Sequence, residues 1–213
     1  VYYKTNLNAG PAKMTFVGKG EYRGSVAKSF TIQPKDASKF KLYYATPLSF
    51  TGKEITPDVL IKDGNKTLER YIDYMVMYSS NVNVGTGKIT VEFYGNYKGK
   101  QPVSFVINPA KQQIQVLETR YKGFFVDFVQ KGSATGYEVQ YGTRSNFSNV
   151  STYRSTTNKT DKMTVLGLGA SKTYYVRVRS YTVKGGKTYY GNWSDAKSIV
   201  TAKTNFANAK VSG

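Results

Sequence analysis

Cysteine and histidine are both absent from this chain of 213 residues, and their absence excludes several kinds of chemistry. Without cysteine the chain forms no disulfide, iron–sulfur cluster, zinc–thiolate site or thiol nucleophile. Without histidine it lacks the commonest proton shuttle and the commonest ligand of transition metals. No apolar run approaches the roughly 20 residues that a membrane-spanning helix needs, so we expect no membrane span.

The motifs of common enzyme classes are missing as well. Serine and threonine are plentiful, but no Gly-x-Ser-x-Gly elbow accompanies them. Neither Gly18-Lys19-Gly20 nor Gly185-Gly186-Lys187 stands in the strand–loop–helix context of a phosphate loop. Asp63-Gly64-Asn65 lacks the spaced carboxylates of a calcium loop and is typical of a hairpin turn. We therefore predict that the chain is not an enzyme and holds no metal and no cofactor.

Acidic residues are few, so the chain is strongly basic. It has 13 Asp and Glu against 31 Lys and Arg, a net charge of +18. Residues 110–203 carry most of this charge, with 15 cations against 5 anions, whereas residues 1–34 carry +4 and residues 35–109 carry +3. Such a surface attracts anionic cell-wall polymers, acidic host glycans or nucleic acid. Nucleic acid is disfavoured, because the basic residues are scattered and most aromatic residues take inward positions of strands.

The chain is rich in residues that suit the core of a β-sheet protein. Aromatic residues make up 15% of the chain, including 19 Tyr, which argues against disorder. Polar and apolar residues alternate with period two through residues 88–93, as in a half-buried strand. Strands are also expected at Lys39–Tyr44 and Tyr71–Tyr78, and residues 57–61 form either a short strand or one helical turn. No stretch shows a sustained helical period.

An internal repeat divides the first half of the chain. Residues 8–34 align without gaps with residues 83–109, at an offset of 75. Residues 35–109 are therefore predicted to form one complete repeat, and residues 1–34 the C-terminal part of a preceding copy whose first strands are missing. The positions that recur, counting the extension to residue 1, are Val1, Tyr3, Asn6, Asn8, Gly10, Lys13, Thr15, Gly20, Tyr22, Gly24, Ser29, Phe30, Ile32 and Pro34.

This Asn-x-Gly…Gly-x-Tyr-x-Gly…Phe-x-Ile-x-Pro pattern resembles a bacterial Ig-like repeat found in modular surface proteins of Gram-positive bacteria. Asp73, Tyr74, Tyr78 and Asn81 fit the D-Y-x-V-x-Y-x-x-N stretch that the family often shows. The resemblance covers the complete copy fully and the first copy in part. It implies an Ig-like fold and a role as a spacer.

Residues 110–203 show a different pattern, which is that of a seven-stranded sandwich. Leu168 precedes Tyr174 by six residues, a spacing typical of the tyrosine corner, in which the phenol bonds to the upstream backbone. With the closing Gly191-Asn192-Trp193-Ser194, the pattern resembles a bacterial fibronectin type III module. Phe128 stands where such modules usually carry a core Trp. The expected strands include residues 114–116, 124–129, 136–141, 162–165 and 174–179.

One face of this module is the candidate site. Strand alternation places five of its six residues outward, and Trp193 follows them in the closing segment. The face has two interpretations. In the structural one, Trp193 packs over guanidinium groups and the arginines pair with Glu138 across the sheet. In the functional one, Trp193 is a stacking platform for a sugar ring. The six residues are Glu138, Gln140, Tyr175, Arg177, Arg179 and Trp193.

Together these patterns predict an all-β chain of tandem β-sandwich modules. The predicted order is a partial Ig-like repeat at residues 1–34, a complete one at 35–109, a fibronectin type III-like module at 110–203 and a linker at 204–213. We expect an excised piece of an exported, extracellular or cell-wall-associated bacterial protein that acts as a non-catalytic spacer. Its partners are neighbouring domains of the same polypeptide, with anionic wall polymers or host glycans as further possibilities. The alternative is an adhesin or carbohydrate-binding module that uses the face around Trp193.

Overall fold

A computed structural model describes residues 2–4 and 6–203, and all their regular secondary structure is β-strand. The prediction of an all-β fold is confirmed. No helix in this part of the chain has the length and apolar character needed to cross a bilayer. The strands are β1 (Tyr2–Lys4), β2 (Gly10–Val17), β3 (Ser25–Ile32), β4 (Lys35–Asp36), β5 (Leu42–Tyr43), β6 (Leu48–Ser49), β7 (Leu60–Asp63), β8 (Lys66–Thr67), β9 (Tyr74–Ser79), β10 (Gly85–Phe93), β11 (Tyr97–Asn108), β12 (Ile114–Arg120), β13 (Gly123–Phe128), β14 (Gly136–Gly142), β15 (Ser151–Arg154), β16 (Lys162–Val165), β17 (Thr173–Lys184), β18 (Lys187–Tyr190) and β19 (Lys197–Val200).

The sequence repeat is also a structural repeat. The antiparallel sheet β1-β2-β3 has its counterpart in β9, β10 and β11, and β2 begins at Gly10 just as β10 begins 75 residues later at Gly85. The recurring glycines occupy backbone positions that disfavour other residues, since their φ angles are positive in both copies. These angles are 128° and 133° at Gly10 and Gly85, 73° and 68° at Gly20 and Gly95, and 92° and 109° at Gly24 and Gly99.

The complete repeat adds further strands to this three-stranded pattern. Its main sheet has the order β4-β11-β10-β9, with β6 also pairing with β11, and a smaller sheet has the order β5-β7-β8. The Phe40 ring contacts the rings of Phe93 and Tyr97 at centroid distances of 6.3 and 5.9 Å. The buried residues Ile61, Ile89, Val91, Phe93 and Phe105 belong to the core of this region.

Two predicted strands of the repeat are shorter than expected. The strand expected over residues 39–44 is reduced to Leu42–Tyr43, and the one expected from Tyr71 begins only at Tyr74. The second difference has a clear cause. Tyr71 has a φ of 69°, and the Asp73 carboxylate accepts a hydrogen bond from the Glu69 amide at 3.0 Å, so residues 69–73 form a turn. The hairpin turn predicted at Asp63-Gly64-Asn65 is confirmed between β7 and β8.

Residues 114–200 form a sandwich of two antiparallel sheets. One sheet has the order β12-β13-β16, and the other the order β15-β14-β17-β18 with β19 also pairing with β17. The sandwich agrees with the predicted one, although it has eight strands, β12 to β19, where seven were expected. The tyrosine corner is confirmed, because the Gly169 amide donates to the Tyr174 hydroxyl at 3.2 Å. Phe128 is buried and packs edge-on against the Tyr137 ring at 4.9 Å, as expected of a core residue.

Packing groups the chain into two compact units that do not follow the sequence modules. The first comprises the described residues within Val1–Thr46, Thr56–Asn81 and Gly87–Phe105, and the second those within Pro47–Ile55, Val82–Thr86 and Val106–Gly213. The module boundaries at residues 34/35 and 109/110 stay a prediction. The linker predicted at residues 204–213 lies outside the described residues.

Candidate functional site

The candidate face is built by the pairing of two long strands in the sandwich. On β14 and β17, Glu138 lies opposite Arg179 and Gln140 lies opposite Arg177. The intervening Val139 is buried in the core, so the four polar residues share the other face of the sheet. The sequence pattern therefore placed these side chains on one face correctly.

Glu138 is the electrostatic centre of the face. Its side chain is only 8% exposed and accepts from Arg179, with Nη2 at 2.6 Å and Nε at 2.7 Å from Oε2. Arg154, on the neighbouring strand β15, lies with Nη1 3.5 Å from the other carboxylate oxygen. A nearly buried carboxylate between two guanidinium groups is fully paired, and its removal would leave two cations facing each other.

Arginine side chains and aromatic rings alternate across this face in an arrangement we name the arginine–aromatic ladder. Arg177 lies over Phe147 and Trp193, with its Cζ 4.0 and 4.6 Å from the ring centroids. Arg179 lies over Tyr190 and Trp193 at 4.0 and 4.3 Å. The ladder comprises Phe147, Arg177, Trp193, Arg179, Tyr190, Arg154 and Tyr181, the last two in contact at 3.9 Å.

Further polar contacts fix the two ends of the ladder. Gln140 accepts hydrogen bonds from Nε and Nη2 of Arg177, and burial, with a smaller effect of the charge on Arg179, lowers the pKa of Arg177. At the other end, a hydrogen bond to Tyr181 raises the pKa of Arg154, and Tyr190 adds to that effect. The guanidinium groups are thus held in place by neutral as well as charged partners.

The Trp193-Ser194 dipeptide presents the indole to the ladder. The Ser194 amide donates to the Val178 carbonyl at 2.7 Å, and the Ser194 hydroxyl accepts from the Val178 amide at 3.0 Å. Ser194 therefore continues the pairing with β17 in the part of the chain that lies between β18 and β19. Because Val178 lies between Arg177 and Arg179 in the chain, this anchor places Trp193 beside both arginines.

Five of the six predicted site residues join this network. Tyr175 does not contribute to the ladder; it is half-buried on the same face of β17, opposite Gly142 and Ser198. Trp193 packs over two guanidinium groups, as the structural interpretation predicted, while a role of the face in ligand binding stays a prediction. The described residues contain no group of three or more acidic side chains that could hold a metal ion.

Sequence reasoning missed the other members of the ladder, Phe147, Arg154, Tyr181 and Tyr190. Tyr181 could have been found, because it continues the outward alternation of β17 beyond Arg179. Arg154 lies on the short strand β15, where all four residues are exposed, and no alternation marks it. Phe147 lies outside any strand, with a positive φ of 56°, so only the tertiary structure brings its ring to Arg177.

Comparisons with known proteins place few constraints on this chain. No family model and no curated protein matches it. Among solved structures it is similar to the chicken CNTN1 FN1–FN3 domains, with 12% identity and a TM-score of 0.40 over 91% of this chain and 78% of that one. It is also similar to a chain described as a myokine structure, with 10% identity and a TM-score of 0.37 over 44% of this chain and 98% of that one. The fold assignment therefore rests on the strand order and the core packing.

Proposed function

We propose that this chain is a non-catalytic spacer and presentation segment of an exported bacterial cell-surface protein. Its place is extracellular or associated with the cell wall, where it holds other domains of the same polypeptide at a set spacing. The modular β-sandwich fold supports this proposal, as does the resemblance of the repeat to Ig-like repeats of Gram-positive surface proteins. The observation that carries it is the set of contacts that attach residues 109–113 and residues 82–86 to the strands of the last module.

Residues 109–113, which we call the connector, are firmly attached to the sandwich. Pro109 is buried, and the Ala110 carbonyl accepts from the Ser180 hydroxyl at 3.0 Å. Lys111 forms an ion pair with Asp195 at 2.7 Å, and Gln112 is only 2% exposed. A proline fixes φ and restricts the residue before it, so the connector has few ways to bend.

A loop from before the connector is held by the same compact unit. Lys184, on β17, donates from Nζ to the Val84 carbonyl at 3.2 Å. The Tyr189 hydroxyl lies 3.4 Å from the Thr86 hydroxyl. Residues 82–86 and the strands β17 and β18 thus belong to one packed body, which opposes hinge motion at the connector.

Backbone order parameters test the spacer proposal. In the native chain we expect the amides of residues 84–86 and 110–113 to have values near 0.85, like those of β14 and β17. The double variant Ser180→Ala, Lys184→Met removes one hydrogen bond of the connector and one of residues 82–86, and it should lower these values. Lys197→Met removes an exposed lysine of the same module and serves as the matched control. Values below about 0.6 in the native connector would contradict a stiff spacer.

The adhesin or carbohydrate-binding alternative has one observation in its favour, the charge of the ladder. The face carries three arginines and a single carboxylate, Glu138, which pairs with only two of them, and the side chains of Arg154 and Arg179 remain 41% and 24% exposed. Such a face suits an anionic glycan. A glycan array and retention on a heparin column at moderate salt separate the two functions. Specific glycan binding that is lost in Trp193→Ala, while a circular dichroism spectrum shows the fold intact, would favour the alternative.

A further inference from the structure

The sheet of the first repeat copy has an uncovered apolar face. Phe16 and Val26 lie opposite each other on β2 and β3 and are 45% and 59% exposed, and Phe30 is 37% exposed. The Tyr22 side chain, in the turn between these strands, is 80% exposed. We name this set the open face. A soluble protein rarely leaves neighbouring large apolar side chains exposed on one face of a sheet without a partner for them.

Three of the four matching residues of the second copy are buried, and the counterpart of Val26, Gln101, is half-buried. Moving 75 residues along the chain, Phe16 corresponds to Val91, Phe30 to Phe105 and Tyr22 to Tyr97. The exposed fractions of these counterparts are 0%, 2% and 6%. The open face therefore has the pattern of a core surface.

Residues 35–75 supply the cover in the second copy. The Phe40 ring contacts Tyr97 at 5.9 Å, and the Tyr44 ring contacts Phe105 at 6.4 Å. Strand β4 pairs in parallel with β11 at Tyr97 and Lys98. In the first copy β3 is an edge strand of its described sheet, so the matching positions at residues 22 and 23 have no such strand beside them.

We propose that the open face and the adjacent edge of β3 are a docking surface for a first-half segment of this repeat type, one with the sequence pattern of residues 35–75. The segment places an aromatic ring like Phe40 against Tyr22 and one like Tyr44 against Phe30. A short strand like β4 pairs beside residues 22 and 23. This inference does not depend on the spacer function.

Charge favours this occupant over a second copy of the chain. Residues 1–34 carry a net +4, so two open faces packed against each other would bring like charges together. Residues 35–75 contain seven basic and six acidic residues and are nearly neutral. The first-half segment thus covers the face without that repulsion.

The test joins a duplicate of residues 35–75 directly to Val1 of the full chain, as Met75 precedes Val76. Since the chain has no cysteine, Phe16→Cys introduces a unique thiol at the position matching the buried Val91. Its rate of labelling reports whether the open face is covered. Matched controls carry a scrambled segment of the same composition, or Phe40→Ser and Tyr44→Ser in the added copy only. Hydrogen exchange across residues 85–107 confirms that the complete repeat is folded in every sample.

We expect the authentic segment to slow labelling at least about tenfold relative to the original chain and to protect the amides of β2 and β3. Both control segments should leave labelling fast. Equal rates with the authentic and scrambled segments, in chains whose complete repeat is folded, would overturn the proposal. So would concentration-dependent protection of the unextended chain that coincides with a dimer in analytical ultracentrifugation, because the occupant would then be a second copy.

Discussion

The two copies of the repeat pattern have similar strands but very different burial. Tyr22 is 80% exposed and Tyr97 6%, although each follows a positive-φ glycine by two residues in the same turn. Strand formation and turn geometry are therefore local properties of the pattern. Burial is not local, since it depends on the segment 35–75 that covers only the second copy. The same apolar side chain is a core residue in one copy and a surface residue in the other.

This comparison predicts a large difference between two matching phenylalanines. Phe105→Ala removes a buried ring that contacts Tyr44, and we expect a loss of about 3–5 kcal/mol in the stability of its region. Phe30→Ala removes a ring that is 37% exposed, and we expect a loss below about 1 kcal/mol. Native-state hydrogen exchange measures each region separately, which a multidomain chain requires. Similar losses in the two variants would mean that the first copy is covered in solution.

A matching pair of small residues sharpens the comparison. Gly87 is buried beneath the Phe105 ring, and a methyl group at this position would overlap that ring. We expect Gly87→Ala to cost about 1–3 kcal/mol, because the buried ring has little room to move. The counterpart, Ala12, already carries that methyl group opposite Phe30. If Gly87→Ala were neutral by hydrogen exchange while Phe105→Ala remained damaging, the ring would have to be more mobile than its burial indicates.

The tyrosine pair isolates the contribution of hydrogen bonds. The Tyr97 hydroxyl lies 3.3 Å from Oδ2 of Asp63 and 3.5 Å from Nζ of Lys66. We expect Tyr97→Phe to lose about 1 kcal/mol of stability, whereas Tyr22→Phe should change it by less than the error of measurement. Hydrogen exchange at the amides of β10 and of β2, followed during urea denaturation, measures the change in stability for each of the two variants. A loss in Tyr22→Phe would reveal a partner for the first copy.

Much of this architecture could be predicted from the sequence. Period-two alternation gave β10 and β14, glycines with positive φ marked the turns, and the spacing to Tyr174 gave the tyrosine corner. The Glu138–Arg179 pair followed from strand order. Phe147 and Arg154 could not be found, since a loop conformation and the pairing of a short exposed strand bring them to the ladder. Such contacts depend on long-range packing, which cannot be inferred from the local pattern of residues along the chain.

The smallest expected effect concerns a carboxylate that only the complete copy possesses. Asp36, on β4, accepts a hydrogen bond from the Ser38 amide at 2.9 Å, and this bond, with a further one from the Ser38 side chain, lowers the pKa of Asp36. A carboxyl whose pKa is lower in the folded state stabilises that state above its ordinary pKa of about 3.9, and this contribution is lost as pH falls through the lowered value. Because Asp36 is exposed, we expect a small effect.

Lowering the pH should therefore weaken the pairing of β4 with β11, whereas protonation of Asp36 should not affect the sheet β1-β2-β3. The chemical shift of the Ser38 amide during an acid titration reports the protonation of Asp36, and exchange at the Ala37 amide, which donates to the Lys98 carbonyl, reports the pairing. Asp36→Asn should remove this part of the pH dependence at Ala37. If the same acid response also persisted in the variant, it would have to come from another carboxylate of the complete copy.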